Sequence, residues 1–456
     1  MIDEVTIEKI KSAIDIIDVV SGYVELKKRG ASYVGLCPFH EDHSPSLYVT
    51  PARNSWHCFV CDEGGDAISF VMKKEGISYP EALKLLSKKY SIEIPEHYLP
   101  KDEWIRRKQT EAMLAVNNAT MQYYEACLTS SDDAVGMEYF RKRGFNGETL
   151  AKFHVGYAPK DSDIIGAVKD KGLKMKYLMP SDSDIHFKSG KSLHVENGVG
   201  TIMQLSGRFV DCFAGRVIFP WFNVKGDVVA FGGRKLDQAT HGVEKKYRNS
   251  PDSLVYHKSR ELWGLYHAKS AIMREGFAYI TEGYTDVMML HQIGIENVVG
   301  NSGIALSSEQ ANFLSRYTKN IVLLYDSDAA GINAAKRAIH ILLQQGLNVS
   351  VILLPEGEDP DSFARQHTTD EVKDYLTAHK QDFVAFLCST TLNNTADIVS
   401  RAEAINAILS NISLVKDDIL RELYVKELSD NSGVAEDVLR NQIDVNETDK
   451  DALPQH

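Results

Sequence analysis

FAYITEGYTD at residues 277–286 and IVLLYDSDAAG at residues 321–331 follow one pattern: a short apolar run, a carboxylate directly after it, a glycine, then a stretch of helical composition. ENVV at 296–299 and VSVILLP at 349–355 supply two further apolar runs, and segments 284–292, 307–316 and 329–345 read as the helices between them. Short strands alternating with helices predict a parallel sheet with helices packed on it. The acids then fall into three groups past strand ends: Glu282 with Asp286, Asp326 with Asp328, and Asp359 with Asp361. Ligands gather at the carboxyl ends of strands in open α/β sheets. Carboxylates crowded there repel one another unless a cation is held, and hard oxygen donors without His or Cys suit Mg²⁺ or Mn²⁺. A metal so placed serves nucleotidyl transfer. The competing reading of Asp286 and Asp328 is helix capping, with Gly283 and Gly331 allowing tight turns.

Towards the N-terminus, residues 37–66 read CPFHEDHSPSLYVTPARNSWHCFVCDEGGD. Cys37 and His40 form one knuckle and Cys58 and Cys61 a second, with 17 residues between them. Two such knuckles can present four ligands tetrahedrally to one Zn²⁺, and a full set of protein ligands makes the metal structural. His43 is an alternative to His40; His57 is a poorer one, being adjacent to Cys58. The intervening SLYV and WHCF runs alternate like a hairpin, so the metal staples a small ribbon. Lys27, Lys28 and Arg29 precede it, and Tyr33, Phe39, Tyr48, Trp56 and Phe59 interleave it. Those aromatics are either base-stacking platforms for a single strand or the ribbon's own core.

The whole chain of 456 residues carries a formal charge of −12. Residues 208–274 alone hold 12 Lys and Arg against 6 Asp and Glu. This basic segment, rich in Arg216, Arg234, Lys246 and Lys258, directly precedes the acidic sheet. It reads as a phosphate-holding surface or as an ordinary solvated face. Cys127, Cys212 and Cys388 stand alone and read as apolar filler. The acidic, interrupted N-terminus lacks a signal-peptide pattern and no apolar run reaches membrane-spanning length, so a cytoplasmic protein without membrane partners is expected.

The ordered motifs carry a family likeness. Glu282–Asp286 and Asp326–Asp328 with Gly331 resemble the acidic signature of the TOPRIM fold, found in primases, topoisomerases and some nucleases. CPFH…CFVC resembles the zinc-binding domain of bacterial DnaG-type primases. RVIFPW (216–221), FGGRKL (231–236), KYRNSPDS (246–253), YHKSRELWGLY (256–266) and EGYTDV (282–287) resemble the primase core in the same order. The resemblance implies a DNA primase: a nucleotidyltransferase making RNA primers from ribonucleoside triphosphates on single-stranded DNA. It implies Glu282, Asp326 and Asp328 as catalytic residues. It places Lys246, Tyr247 and Asn249 in the catalytic groove, and Arg143, within YFRKRGF (139–145), at the template or nucleotide. One departure stands out: the family's D-R-F-R-x-R reads Asp211-Cys212-Phe213-Ala214-Gly215-Arg216 here, so two arginines are missing.

The expected fold class is multidomain α/β. Residues 1–100 form a zinc ribbon with linker, and 101–275 a mixed α+β segment, the N-terminal part of the polymerase domain. Residues 276–370 form the TOPRIM sheet, 371–432 a helical subdomain, and 433–456 a polar tail. Primases of this family dock on the replicative helicase through a C-terminal domain. The few residues beyond 432 are too few for one, so that domain is expected to be absent or truncated, helicase stimulation weak, and the protein monomeric. A topoisomerase or nuclease, or a zinc-ribbon DNA binder with an inactive TOPRIM domain, are the rival readings.

Overall fold

The computed structural model describes residues 4–42, 44–93, 101–130, 134–187, 189–236, 245–303, 305–394 and 397–451. His43, the alternative zinc ligand, lies outside them, as does most of the expected linker. The chain divides into two compact units: Met1–Glu111 with Lys269–Glu275, and Ala112–Ala268 with Gly276–His456.

In the first unit an antiparallel sheet runs in chain order through Lys27–Arg29, Ser32–Gly35, Leu47–Thr50, Ser55–Cys58 and Gly64–Gly65. The two central strands alternate strictly: Leu47, Val49, Trp56 and Cys58 point into the core, and Tyr48, Thr50, Ser55 and His57 do not. That period of two is what a sheet with one covered face requires. Helices Ala67–Glu75 and Tyr79–Lys89 supply Phe70, Val71, Leu83 and Leu86 to the same core. Trp56 packs edge-on against Phe70 at 5.2 Å and beside Phe39 at 5.0 Å. The ribbon's aromatics therefore divide: Trp56 and Phe39 belong to the core, whereas Phe59 is 71% exposed.

In the second unit two sheets share one apolar core. An antiparallel sheet in the order Tyr247–Asn249, Val228–Lys235, Arg216–Phe222, Gly156–Ala158 contributes Val217, Phe219, Trp221 and Val229. The other sheet runs Val298–Gly300, Phe277–Thr281, Asn320–Tyr325, Asn348–Leu353, Gln381–Asp382. Its first four strands are parallel, as expected, and the helices between them begin at Tyr284, Ser308 and Ala329. The fifth strand is antiparallel and was not expected: two residues inside a helical segment are too short for any periodicity to show.

The C-terminal region refines one expectation and corrects another. The expected helical subdomain over 371–432 ends in two helices, Ile398–Ile412 and Asp418–Ser432, separated where Asp417 caps the second and accepts from the Leu420 amide at 2.9 Å. The expected polar tail is a helix, Glu436–Asp451, whose Leu439 and Ile443 are buried. Two apolar residues four apart suffice to seat one helical stripe on its neighbours even in an otherwise polar sequence. Among the described residues no helix is long and apolar enough to cross a membrane.

Candidate active site and metal centre

The ribbon brings together Cys37, His40, Cys58 and Cys61, with ligand atoms all within 4.8 Å of one another. Cys37 Sγ lies 3.8 Å from Cys61 Sγ and Cys58 Sγ 3.9 Å from His40 Nδ1. Thiolates each ~2.3 Å from a tetrahedral zinc would sit just under 4 Å apart, so this set fits the ion. Burial and the neighbouring thiols hold Cys37 well above its usual range. At Cys58 burial is outweighed by amides from Cys61 and Val60 and by Ser46, which bring it down to about 7. Asp42, unrecognised in the sequence, organises the first knuckle. One carboxylate oxygen accepts from the Cys37 amide at 2.7 Å and from Ser46 Oγ at 2.6 Å, and Ser46 Oγ lies 3.2 Å from Cys58 Sγ.

The three acid groups converge because their strands, Phe277–Thr281, Asn320–Tyr325 and Asn348–Leu353, are adjacent and parallel. Glu282 directly follows the first and Asp326 the second. Asp328 caps the helix Ala329–Gln344 through one oxygen, accepting from the Gly331 amide at 2.7 Å. Asp359 caps Pro360–Gln366, accepting from Ser362 N at 2.6 Å. Asp286 reaches back to accept from Gly283 N at 2.8 Å. Capping thus occurs at all three, and it fixes each carboxylate through a single oxygen. Gly283 and Gly331 do not adopt the left-handed backbone expected of tight turns. Gly331 instead permits close approach, since a Cβ there would lie 2.2 Å from the Asp326 carbonyl oxygen.

The electrostatics call for a cation. Burial, with the charges of Asp326 and Asp328, pushes Glu282 up to about 7. Burial, with Asp359 and Asp326, pushes Asp286 up to about 8. Burial, with Asp359 and Asp328, pushes Asp326 up to about 6. Glu282 Oε1 is buried and has no hydrogen-bond partner among the described residues. An orphaned acceptor amid carboxylates that repel one another is the donor set of a hard divalent ion.

Asp361 differs from its neighbours. It forms an ion pair with Arg143 and accepts from Arg365 Nε at 3.1 Å, with its side chain 1% exposed. Two guanidiniums thus claim the oxygens of this expected metal ligand. Arg143 and Arg234 both lie over the Tyr139 ring, at 5.3 and 4.7 Å, and Arg234 donates to Tyr139 Oη. A cleft of about 630 Å³ opens beside them, lined by Lys245, Tyr247, Arg248, Asn249 and Lys258. Lys246 carries its ammonium over the Tyr247 ring at 5.8 Å. Cys212 and Ala214, in place of the family's arginines, also line this cleft.

Arg216, expected as a phosphate contact, lines the same cleft. It is 5% exposed and donates to the carbonyls of Lys245 and Lys246 at 3.1–3.2 Å, so it holds the loop that presents the other cations. Tyr284 was missed. Its ring stacks on Phe219 at 4.6 Å, and its hydroxyl accepts from Trp221 Nε1 at 3.1 Å and donates to Asn249 Oδ1 at 2.7 Å. Asn249 in turn donates to the Ser302 carbonyl at 3.1 Å. The bare backbone of Gly232 makes room, since a Cβ there would lie 2.2 Å from the Tyr284 oxygen. The glycine pair of FGGRKL beside the tyrosine of EGYTDV was the available signal.

Four family models match in sequence. Residues 2–101 match the CHC2 zinc finger, 123–269 the N-terminal domain of the DNA primase catalytic core, 279–364 a Toprim-like domain, and 392–437 the DnaB-helicase binding domain of primase. The last overturns the expectation that a helicase-docking domain is absent or truncated. The match lies mostly within the expected helical subdomain over 371–432, which carries no local sequence signature of docking. The DNA primase of Halalkalibacterium halodurans is 33% identical over 97% of this chain and 71% of its own length. That of Aquifex aeolicus is 37% identical over 83% of this chain and 70% of its own. The crystal structure of the zinc-binding and RNA polymerase domains of Aquifex aeolicus primase is similar at a TM-score of 0.61 and 33% identity. It covers 95% of this chain and 98% of that one. A DnaG primase catalytic domain bound to ssDNA is similar at a TM-score of 0.57 and 27% identity, covering 71% and 99%. With a zinc ribbon, catalytic core and Toprim-like sheet in this order, and a third of its residues shared along nearly its whole length, the chain belongs to the DnaG-type bacterial DNA primases, DNA-directed RNA polymerases that make RNA primers for replication.

Proposed function

We propose that Glu282, Asp286, Asp326, Asp328 and Asp359 hold magnesium or manganese for primer synthesis, and that Asp361 acts by fixing Arg143. Metal bound there neutralises the triphosphate and lowers the pKa of the primer's 3′-hydroxyl. The chain's own groups do the holding. Lys245, Lys246, Arg248 and Lys258 attract template and triphosphate phosphates into the cleft. Tyr247 offers a ring face, and the hydrogen bonds from Tyr284 through Asn249 to Ser302 keep that wall in place. Arg143 and Arg234, stiffened by Tyr139, present a pre-organised pair of cations. On the ribbon, Phe59 stands in edge contact with Tyr48 at 5.1 Å, and Arg29 donates to Tyr48 Oη at 3.0 Å, an arrangement that supports contact with single-stranded DNA. The DnaG relative solved with ssDNA supports the same template class for this chain. Residues 392–437 dock the replicative helicase.

The observation that carries the metal assignment is the buried, unpartnered Glu282 Oε1 inside the acid cluster. Mn²⁺ titration followed by electron paramagnetic resonance tests it. Glu282→Gln and Asp328→Asn are expected to weaken Mn²⁺ binding about tenfold or more, with the fold retained by circular dichroism. Unchanged binding in both would refute the assignment.

A further inference from the structure

A second cavity, of about 270 Å³, lies in the Toprim-like domain between the segment that follows Val298–Gly300 and the helix Ala329–Gln344. It borders Glu282 but contains none of the basic residues of the larger cleft. Its walls include Leu306, Ala334 and Ile341, so its body is apolar. Besides Glu282 and Tyr325, two polar side chains break that surface, Asn301 and Arg337. Asn301 is 4% exposed; its Nδ2 donates to Tyr325 Oη at 2.6 Å, and its Oδ1 is buried with no partner among the described residues. Turning the amide over would exchange the orphan, leaving an unpaired N–H₂ in place of an unpaired oxygen. Arg337, exposed on the same helix, makes no close ion pair among the described residues, although its charge favours the ionised form of Glu282.

Leaving a buried amide oxygen unpaired is costly, and native structures rarely do so without a ligand or water to satisfy it. A concave, mostly apolar pocket with a few fixed polar groups is the form of a small-molecule site. An Asn amide matches a nucleobase edge, donor against acceptor. An exposed guanidinium matches a phosphate. Apolar walls suit the flat faces of a base.

We propose that this cavity binds a nucleoside monophosphate, base towards Asn301 and phosphate on Arg337, at a site that adjoins the triphosphate-holding cleft at Gly303 but shares none of its basic residues. Because Glu282 borders it, an occupant slows primer synthesis. The same chemistry could come from a base of a nucleic-acid strand, and the test separates the two sources.

Adenosine monophosphate, and separately a DNA tetranucleotide, are titrated into the full chain without divalent metal and followed by isothermal calorimetry. Ala334→Leu fills the pocket, and Arg337→Ala removes the cation; neither residue belongs to the acid cluster or the basic cleft. The mononucleotide is expected to bind the wild type and to lose about tenfold or more in affinity in each variant. Added mononucleotide should slow priming by the wild type and leave Ala334→Leu priming within about twofold of its uninhibited rate. Tetranucleotide binding that alone responds to the variants would overturn the proposal in favour of a strand base. Binding that neither variant changes, or no binding by the wild type, would overturn it altogether. If Mn²⁺ binding by the acid cluster fails its own test while these results hold, the cavity stands without the metal assignment.

Discussion

The acids of the site were legible because carboxylates directly after apolar runs land at one sheet edge whatever the details of packing. Glu282, Asp326, Asp328 and Asp359 are where that logic puts them. The partners of Arg216 and Asp361 were not legible. Both depend on partners far along the chain: backbone carbonyls at 245 and 246 for one, and Arg143 for the other. A charged residue's exposure decides between ligand and strut, and no local pattern encodes it. The same holds for His267 and His291, buried beside Phe153 at 4.7 and 5.1 Å. Burial pushes both down to about 3, with Lys152 also opposing their protonation and, for His267, with His291 and His154 against it and Glu296 weakly in favour. Unfolded, each would take a proton near pH 6.5. The unfolded state therefore binds more protons below that pH, and stability falls as pH drops from about 6.5 towards 3. Melting temperature followed from pH 7.5 to 5 should show this decline, and His291→Gln should flatten part of it. An identical decline in the variant would remove these histidines from the account.

Element boundaries were legible where periodicity runs long enough. The four parallel strands and their helices follow from apolar runs and turns, and the ribbon from alternation in SLYV and WHCF. What escaped was short or quiet: the two-residue strand Gln381–Asp382, the break capped by Asp417 within the expected helical subdomain, and the last helix, whose Leu439 and Ile443 are buried. The ribbon is the element whose stability depends most on a single feature. Its sheet is short, and the knuckles fasten its ends. Since the site assembles only in the fold, metal affinity and folding are one free energy. Cys61→Ala is expected to lose zinc by elemental analysis and to lose protease resistance over residues 1–93, while residues 112–430 stay protected. Wild-type protein purified without chelator and free of zinc would contradict the structural role.

At the scale of the whole molecule, the order of zinc ribbon, basic core and acidic sheet was readable because each motif carries its own chemistry. The helicase-docking segment carries none that a single sequence displays. Its match to residues 392–437 overturns the expected absence of a docking domain, on which the expectation of weak stimulation rested. Ile419 and Leu423 lie one helical turn apart and are 75% and 57% exposed, a place for a partner. Ile419→Asp with Leu423→Asp should reduce co-elution with the cognate helicase and its stimulation of priming, leaving priming by the primase alone within about twofold. Undiminished co-elution would place docking on another surface.

The central claim, that the acid cluster performs primer synthesis, is tested most directly by supplying a single-stranded DNA template, labelled ribonucleoside triphosphates and Mg²⁺ to the purified chain and to Asp328→Ala. The wild type is predicted to yield short RNA that disappears with chelator. The variant should lose about a hundredfold or more in yield while still binding the template. RNA made equally by both proteins would contradict the account.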